Sequence, residues 1–215
     1  MNYKALPENS TKKPNTMKKF LIPLIVIGLI IFAIYSWGVG INNTAVELEA
    51  NAKTAWSNVE SSYQRRSDLY SSVIKTVQGS ADFERKTLNE VIEARSKATS
   101  VNIDANNLTP ENVAKFQQAQ SQLSGSFSRL IASFERYPEL RTTEQFKEFI
   151  SQQEGTENRI NVARDRYNDA VNKYDIYTTK FPNKILAGMF GFKEMARYKA
   201  DPGSEKVPDV EFNFD

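Results

Sequence analysis

The chain contains neither cysteine nor histidine. Most enzyme sites draw on one or the other for proton transfer near neutral pH, for nucleophilic attack or for metal ligation. Zinc sites, helical Glu-x-x-His metal motifs and Ser-His or Cys-His nucleophile systems are therefore excluded together. Chemistry built on carboxylates, Lys, Tyr or Ser is what remains. No disulfide can hold the fold, so its stability must come from buried apolar area. A dominant charge is also lacking, because 28 Lys and Arg against 26 Asp and Glu leave a formal net charge of +2. The basic residues are spread along the chain except at its start, which argues against nucleic acid as a partner. No metal, cofactor or small-molecule substrate is predicted. The 215 residues suffice for one domain plus an anchor, with no second core.

What is present begins with FLIPLIVIGLIIFAIYSWGVG, Phe20 to Gly40, which carries no charge. As a helix it covers about 30 Å, the thickness of a bilayer's hydrocarbon core. Pro23 is placed in its first turn, and Tyr35 and Trp37 at the far interface. A cleaved secretory signal is the competing reading, but the basic lead-in is long, the apolar run exceeds a signal core, and no Ala-x-Ala site follows. Lys4, Lys12, Lys13, Lys18 and Lys19 precede the run with only Glu8 opposing them, whereas Glu47 and Glu49 are the first charges after it. The positive-inside rule then puts residues 1–19 in the cytoplasm and the chain beyond Trp37 on the other side of a bacterial inner membrane.

Residues 41–180 read as four amphipathic helices. Trp56, Val59, Tyr63, Tyr70, Val73 and Val77 repeat at a 3,4 spacing, so the anchor continues as one long helix to about Gly79. Ser80 is a candidate cap for a second helix to about Ser100, with Phe83, Leu88, Val91 and Ile92 on its buried side. VNIDANNLTP reads as loop. Thr109-Pro110-Glu111 starts a third helix whose seam is Val113, Phe116, Gln120, Leu123, Phe127, Leu130 and Phe134. Pro138 ends it. Thr142 with Gln145 suggests a capping box for a fourth, with the seam Phe146, Phe149, Gln153, Thr156, Ile160, Ala163, Tyr167, Ala170, Tyr174 and Tyr177. Short connections make neighbours antiparallel, giving an all-α, up-down-up-down four-helix bundle. The first and fourth helices, each about 55 Å at 1.5 Å per residue, form a stalk beneath the shorter pair. Gly155, inside the fourth helix, predicts close approach of a neighbouring helix or subunit.

Residues 181–193 form a short amphipathic segment that this geometry returns to the membrane surface. Ile185, Leu186, Met189, Phe190 and Phe192 would enter the interface while Lys184 and Lys193 meet headgroups; capping of the bundle's open end is the equal alternative. Residues 194–215 read as an extended acidic tail, with Val210, Phe212 and Phe214 alternating. Addition of an edge strand to a partner is the other reading.

Arg66 falls on a seam position that the pattern reserves for apolar residues. Counted from a turn at Ser80, an antiparallel hairpin brings Glu93 to its level, predicting an Arg66–Glu93 ion pair with Asp68 and Arg95 on the rim. Such a pair fixes register more than it adds stability.

WSNVESSYQRRSDLYSSVIKTVQG from Trp56, EAR at Glu93–Arg95, and YPELRTTEQF…EGTENRINVARDRYNDAVNKYD…FP from Tyr137 to Pro182 resemble the LemA family of bacterial membrane proteins. The resemblance runs from the anchor to about Phe192, and several motifs agree in order and spacing. It implies an N-terminal anchor and a helical bundle. The family's likeness to the magnetosome protein MamQ implies a role in membrane organisation. It carries over no catalytic residues. The function expected is a membrane-anchored scaffold of the cell envelope, with the lipid bilayer, protein partners and further copies of itself as partners. Membrane remodelling by oligomerisation and interfacial insertion is the alternative. A carboxylate enzyme using Glu84, Glu90 and Glu93 is remote.

Overall fold

The computed structural model of the protein describes residues 16–78 and 84–199. Lys4, Lys12, Lys13, Ser80, Phe83 and the segment 200–215 with Val210, Phe212 and Phe214 lie outside them. A helix that begins at Thr16, α1, continues unbroken to Gln78, 63 residues or about 95 Å at 1.5 Å per residue. Because it starts within the basic lead-in, Pro23 lies in the helix interior and not in its first turn. Within a membrane span a proline is tolerated there, since neighbouring groups re-satisfy the freed carbonyl.

The remaining elements are α2 (Arg85–Ser100), α3 (Pro110–Ser133), a 3-10 turn (Phe134–Arg136), the short α4 (Pro138–Arg141), α5 (Glu144–Thr179) and α6 (Asn183–Met189). No strand occurs among the described residues. Thr109 caps α3 as expected, its side chain accepting from the Asn112 N–H, with Pro110 at the first helical position. The cap of α5 is Thr143, which accepts from the Phe146 N–H, and not Thr142, whose hydroxyl turns back to the Glu139 carbonyl. Tyr137 itself is non-helical, as the following proline demands, but a further turn, α4, starts at Pro138 before α5.

α1 and α5 run closest together and antiparallel, and α2 pairs closely with α3. The close approach follows from small side chains, since Ala45, Ala52 and Ala163 are buried. Large aromatics fill the space between the pairs. Trp56 meets Phe116 and Tyr167 edge to face at 5.3 and 5.1 Å, and Tyr70 stacks on Phe127 at 3.6 Å. All the predicted seam residues of α3, and the six of α1, are buried. On α5 the seam drifts, because Val171 and Thr178 are buried where a strict heptad names Ala170 and Tyr177. A straight helix of 3.6 residues per turn falls behind a 3.5-residue repeat, and α5 is long enough for the lag to show. Ile92 is exposed, correcting its placement on the buried face of α2, and Ile103 and Leu108 of the loop 101–109 are core residues.

The core consists of two apolar clusters. One, nearer the apolar end of α1, gathers Trp56, Phe116, Ile160, Tyr167 and the late residues Ala196 and Tyr198. The other, distal, gathers Tyr70, Leu123, Phe127, Phe134 and Phe149. Gly155 is exposed, and a β-carbon added there would meet no atom within 4 Å among the described residues. The expected close approach is thus absent among the described residues, and Gly155→Ala should raise stability by about 0.5–1 kcal/mol through helix propensity. Denaturant melts of the two proteins check this; a loss would mean that another subunit packs there.

Candidate functional site

Two places combine unusual chemistry with defined geometry: the segment after α5 and the polar layer between the two core clusters. An 18-residue stretch of α1 reaches a mean hydropathy of 2.5 and is nowhere buried by the rest of the chain. At the far end of the apolar run, a β-carbon on Gly38 would stand 3.9 Å from Leu186 Cδ1 of α6. α6 therefore rests on α1 where the anchor ends. Ala187 is buried there, and Phe192 packs edge to face on Tyr174. The opposite side is uncovered, with Phe181 78%, Ile185 59%, Met189 76% and Phe190 49% exposed and Lys184 beside them. Ile185 and Met189 lie one turn apart on α6, and Phe181 precedes the helix. Leu186 and Phe192, expected among the interfacial residues, turn inward against α1 and α5, whereas Ile185, Met189 and Phe190 are exposed on the outer side.

Gly191 closes α6 with φ +83°, a left-handed conformation that glycine adopts without strain. The Phe192 N–H donates to the Ala187 carbonyl at 3.0 Å and the Gly191 N–H to Gly188 at 3.2 Å, a Schellman turn. This turn sends the chain back along α5 as a strap, residues 193–199, so that 194–199 belong to the fold and not to an extended acidic tail. Two adjacent pairs of α5 side chains, two turns apart, hold its backbone. Tyr174 donates to the Lys193 carbonyl, Asp175 accepts from the Met195 N–H, and Tyr167 donates to the Ala196 carbonyl. Asn168 reads both backbone groups of Tyr198, donating to its carbonyl at 2.9 Å and accepting from its N–H at 2.8 Å. The Tyr198 hydroxyl meets that of Tyr63, and the Arg164 guanidinium lies 4.1 Å over the Tyr198 ring. The available signal was Tyr198 itself, an aromatic stranded among charges, facing polar residues on α5 at 3,4 spacing.

Between the two core clusters the Arg66 side chain is only 5% exposed. Its Nη2 donates to the Gln120 side-chain Oε1 at 2.9 Å and to the Gln120 carbonyl at 3.2 Å, and its Nη1 to Glu157 at 3.3 Å. The guanidinium carbon lies 4.7 Å from the Tyr63 ring centroid and 5.9 Å from that of Tyr70. Arg66 Nε and Ser67 Oγ are buried without a hydrogen-bond partner among the described residues. Burial pushes the Tyr70 phenol up to about 12.

The predicted partner was wrong in face but not in level. Leu88, Val91 and Ala98 define the buried side of α2, and Glu93 points the other way, exposed and paired with Lys97 at 2.8 Å. Arg95, one turn from both Val91 and Ala98, does reach the arginine's level, donating from Nε to the Ser67 carbonyl at 3.3 Å. Asp68 is exposed and accepts from Gln64. Glu84 pairs with Arg136 at 2.7 Å and Glu90 with Arg129 at 3.6 Å, so each of the three carboxylates considered for catalysis has its own cation.

Burial raises the Glu60 carboxyl above its ordinary value, opposed by the Trp56 indole and the Ile103 backbone. A carboxyl with a raised folded-state pKa penalises folding once ionised, and that penalty fades as pH falls below the unfolded value of about 4.3. Glu60→Gln should therefore raise the melting temperature at pH 7 and leave it nearly unchanged at pH 3.5, as thermal melts at the two values will show.

A model described as the LemA family matches residues 55–212. The chain belongs to the LemA family. The match begins just past the apolar run and takes in both core clusters and the strap. The chain is 26% identical over 185 residues to Protein LemA of Metamycoplasma hominis, covering 85% of this chain and 77% of that protein. It is 24% identical over 184 residues to Magnetosome protein MamQ 2 of Paramagnetospirillum magneticum, covering 76% of this chain and 66% of the relative. Magnetosome protein MamQ of Magnetospirillum gryphiswaldense is 22% identical over a similar extent. The chain thus spans just under two thirds of the length of these MamQ relatives. None of the three names describes a reaction.

Proposed function

We propose that this LemA-family protein is a non-catalytic scaffold held in the bacterial inner membrane by residues 20–40. Its N-terminus is cytoplasmic, and an up-down-up-down four-helix bundle stands on the opposite side. The observation that supports this reading most is the seating of α6 on Gly38, with Ile185 and Met189 exposed on the helix's outer side and Phe181 exposed just before it. An exposed apolar patch in water would be a liability, but at the headgroup boundary it adds an interfacial contact. The bundle is then held by two points, the span and the α6 collar, and presents its helix faces to partners in the envelope or to further copies of itself.

Because the chain has no native cysteine, a single one can be introduced without first removing others. Met189→Cys carrying an environment-sensitive dye, in the full chain reconstituted in vesicles, should be strongly quenched by lipids bearing a shallow quencher. Val162→Cys, higher on α5, should not. Equal behaviour of the two would remove the collar. Labelling of Val162→Cys by an impermeant maleimide added outside spheroplasts tests the orientation. Crosslinking in native membranes then separates bridging from self-assembly by what is attached.

Remodelling of the membrane is the second reading, favoured by the same patch and by relatives named for the magnetosome. Vesicles that stay spherical as the density of reconstituted protein rises would exclude it.

A further inference from the structure

We infer that the α6 collar takes anionic phospholipid, with Lys180 and Lys184 meeting the headgroup phosphodiesters of the bundle-side leaflet and Phe181 and Ile185 entering the acyl boundary beside them. This rests on the reading of α6 as a membrane collar and names the lipid class the collar would hold. Lys53, Lys97, Lys115 and Lys147 each pair with a carboxylate on their own helix. Lys180 and Lys184 are exposed, and neither has an acidic partner among the described residues. Charge around them is of one sign. Ile176 to Lys193 holds Lys180, Lys184 and Lys193 and no acidic residue, and Phe20 to Val46 of α1 holds no charge at all. Asp175 is engaged, accepting from the Met195 N–H and pairing with Arg197. Glu194 lies on the strap beyond the Gly191 turn, and Glu47 lies about 13 Å along α1 from Gly38.

Local geometry keeps the two lysines together. The chain leaves α5 at Phe181-Pro182, but the Lys184 N–H donates to the Lys180 carbonyl at 3.0 Å across the corner, and the Asn183 side chain donates to the Tyr177 carbonyl at 3.2 Å. Lys180 and Lys184 are therefore one turn apart. Phe181 follows the first and Ile185 the second, both exposed. A lysine stem lies along apolar surface while its amine stays at headgroup level, where a compact ammonium suits a phosphodiester. Each basic residue close to an anionic surface strengthens attachment roughly fivefold, and inserted apolar side chains add to that. α6 meets α1 at Gly38, inside the uncharged run, so the patch is continuous with the anchor. An acidic protein partner would answer the lysines but not the exposed apolar side chains beside them.

The experiment uses the full chain with a dye on Met189→Cys, in phosphatidylcholine vesicles doped with a lipid that bears a shallow nitroxide quencher. The labelled lipid is phosphatidylglycerol or phosphatidylcholine at the same mole fraction. Labelled phosphatidylglycerol should quench several-fold more effectively. Lys180→Gln with Lys184→Gln should abolish that preference, as should high salt, while quenching by labelled phosphatidylcholine persists. Lys18 and Lys19 lie about 30 Å along α1 from Gly38, so Lys18→Gln with Lys19→Gln should leave the preference unchanged. Equal quenching by the two lipids in the parent, or a preference that survives loss of Lys180 and Lys184, would overturn the assignment and leave the collar standing. Quenching by neither lipid would remove the collar and the assignment together.

Discussion

Tyr198→Ala should lower the unfolding free energy by about 3–5 kcal/mol, as expected for removal of a buried aromatic side chain. The residue is 5% exposed and belongs to the proximal core cluster, although it lies in a strap with no regular secondary structure. Its ring stacks on Tyr63, its hydroxyl meets the Tyr63 hydroxyl, and the Arg164 guanidinium lies over the ring. Truncation would leave a cavity beside Tyr63 and Phe116 and strip Arg164 of its cation–π partner. Tyr198→Phe separates the contributions, since it keeps the ring and loses only a hydroxyl pair, about 1 kcal/mol. Chemical denaturation of the two variants decides the matter. A Tyr198→Ala protein as stable as the parent would show that the strap is peripheral to the fold.

The second large effect concerns the polar layer. Arg66→Ala should cost about 3–5 kcal/mol, because it opens a hole between the Tyr63 and Tyr70 rings and leaves the Gln120 side chain buried without its partner. Arg66→Met combined with Gln120→Leu should stay within about 1 kcal/mol of the parent, since an apolar layer of similar volume replaces the ionic one. Glu157 tolerates the exchange because its side chain is 38% exposed and water can serve it. Glu93→Leu should be nearly silent, as the carboxylate it removes pairs with Lys97 in solvent. The double variant should unfold in one cooperative transition if the layer contributes little net stability. A double variant as unstable as Arg66→Ala would show that the arginine stabilises the fold in its own right.

These two sites also mark how far the residues can be read without coordinates. The helices and most of their inner faces follow from periodicity, because burying large side chains on one stripe is the dominant favourable term and leaves a direct trace in the spacing. Arg66 stood out because it broke that trace. Its true partners did not, because Gln120 sits on α3 and Glu157 on α5, and the relative height of helices joined by loops depends on where each loop turns. The 101–109 loop buries Ile103 and Leu108 instead of merely connecting, and α4 adds a turn before α5. Tyr198 was missed for a different reason: the strap has no period, and its backbone is held by the side chains of α5 and not by a ladder of its own. The collar was legible in composition, but only the contact of Leu186 with Gly38 separates its inner from its outer face.

The unbroken path of α1 has a mechanical meaning. Although Gly38 and Gly40 lie at the junction, α1 crosses it without a break, so the part that fits a bilayer and the part that frames the bundle lie on one continuous helix. The arm from Gly40 to Gln78 is about 57 Å, and a tilt of about 10° at the lipid, such as a change in bilayer thickness imposes, would swing its tip by about 10 Å. Distal helix faces would thereby register the thickness of the lipid below them, and whatever docks on them would be positioned by the membrane itself.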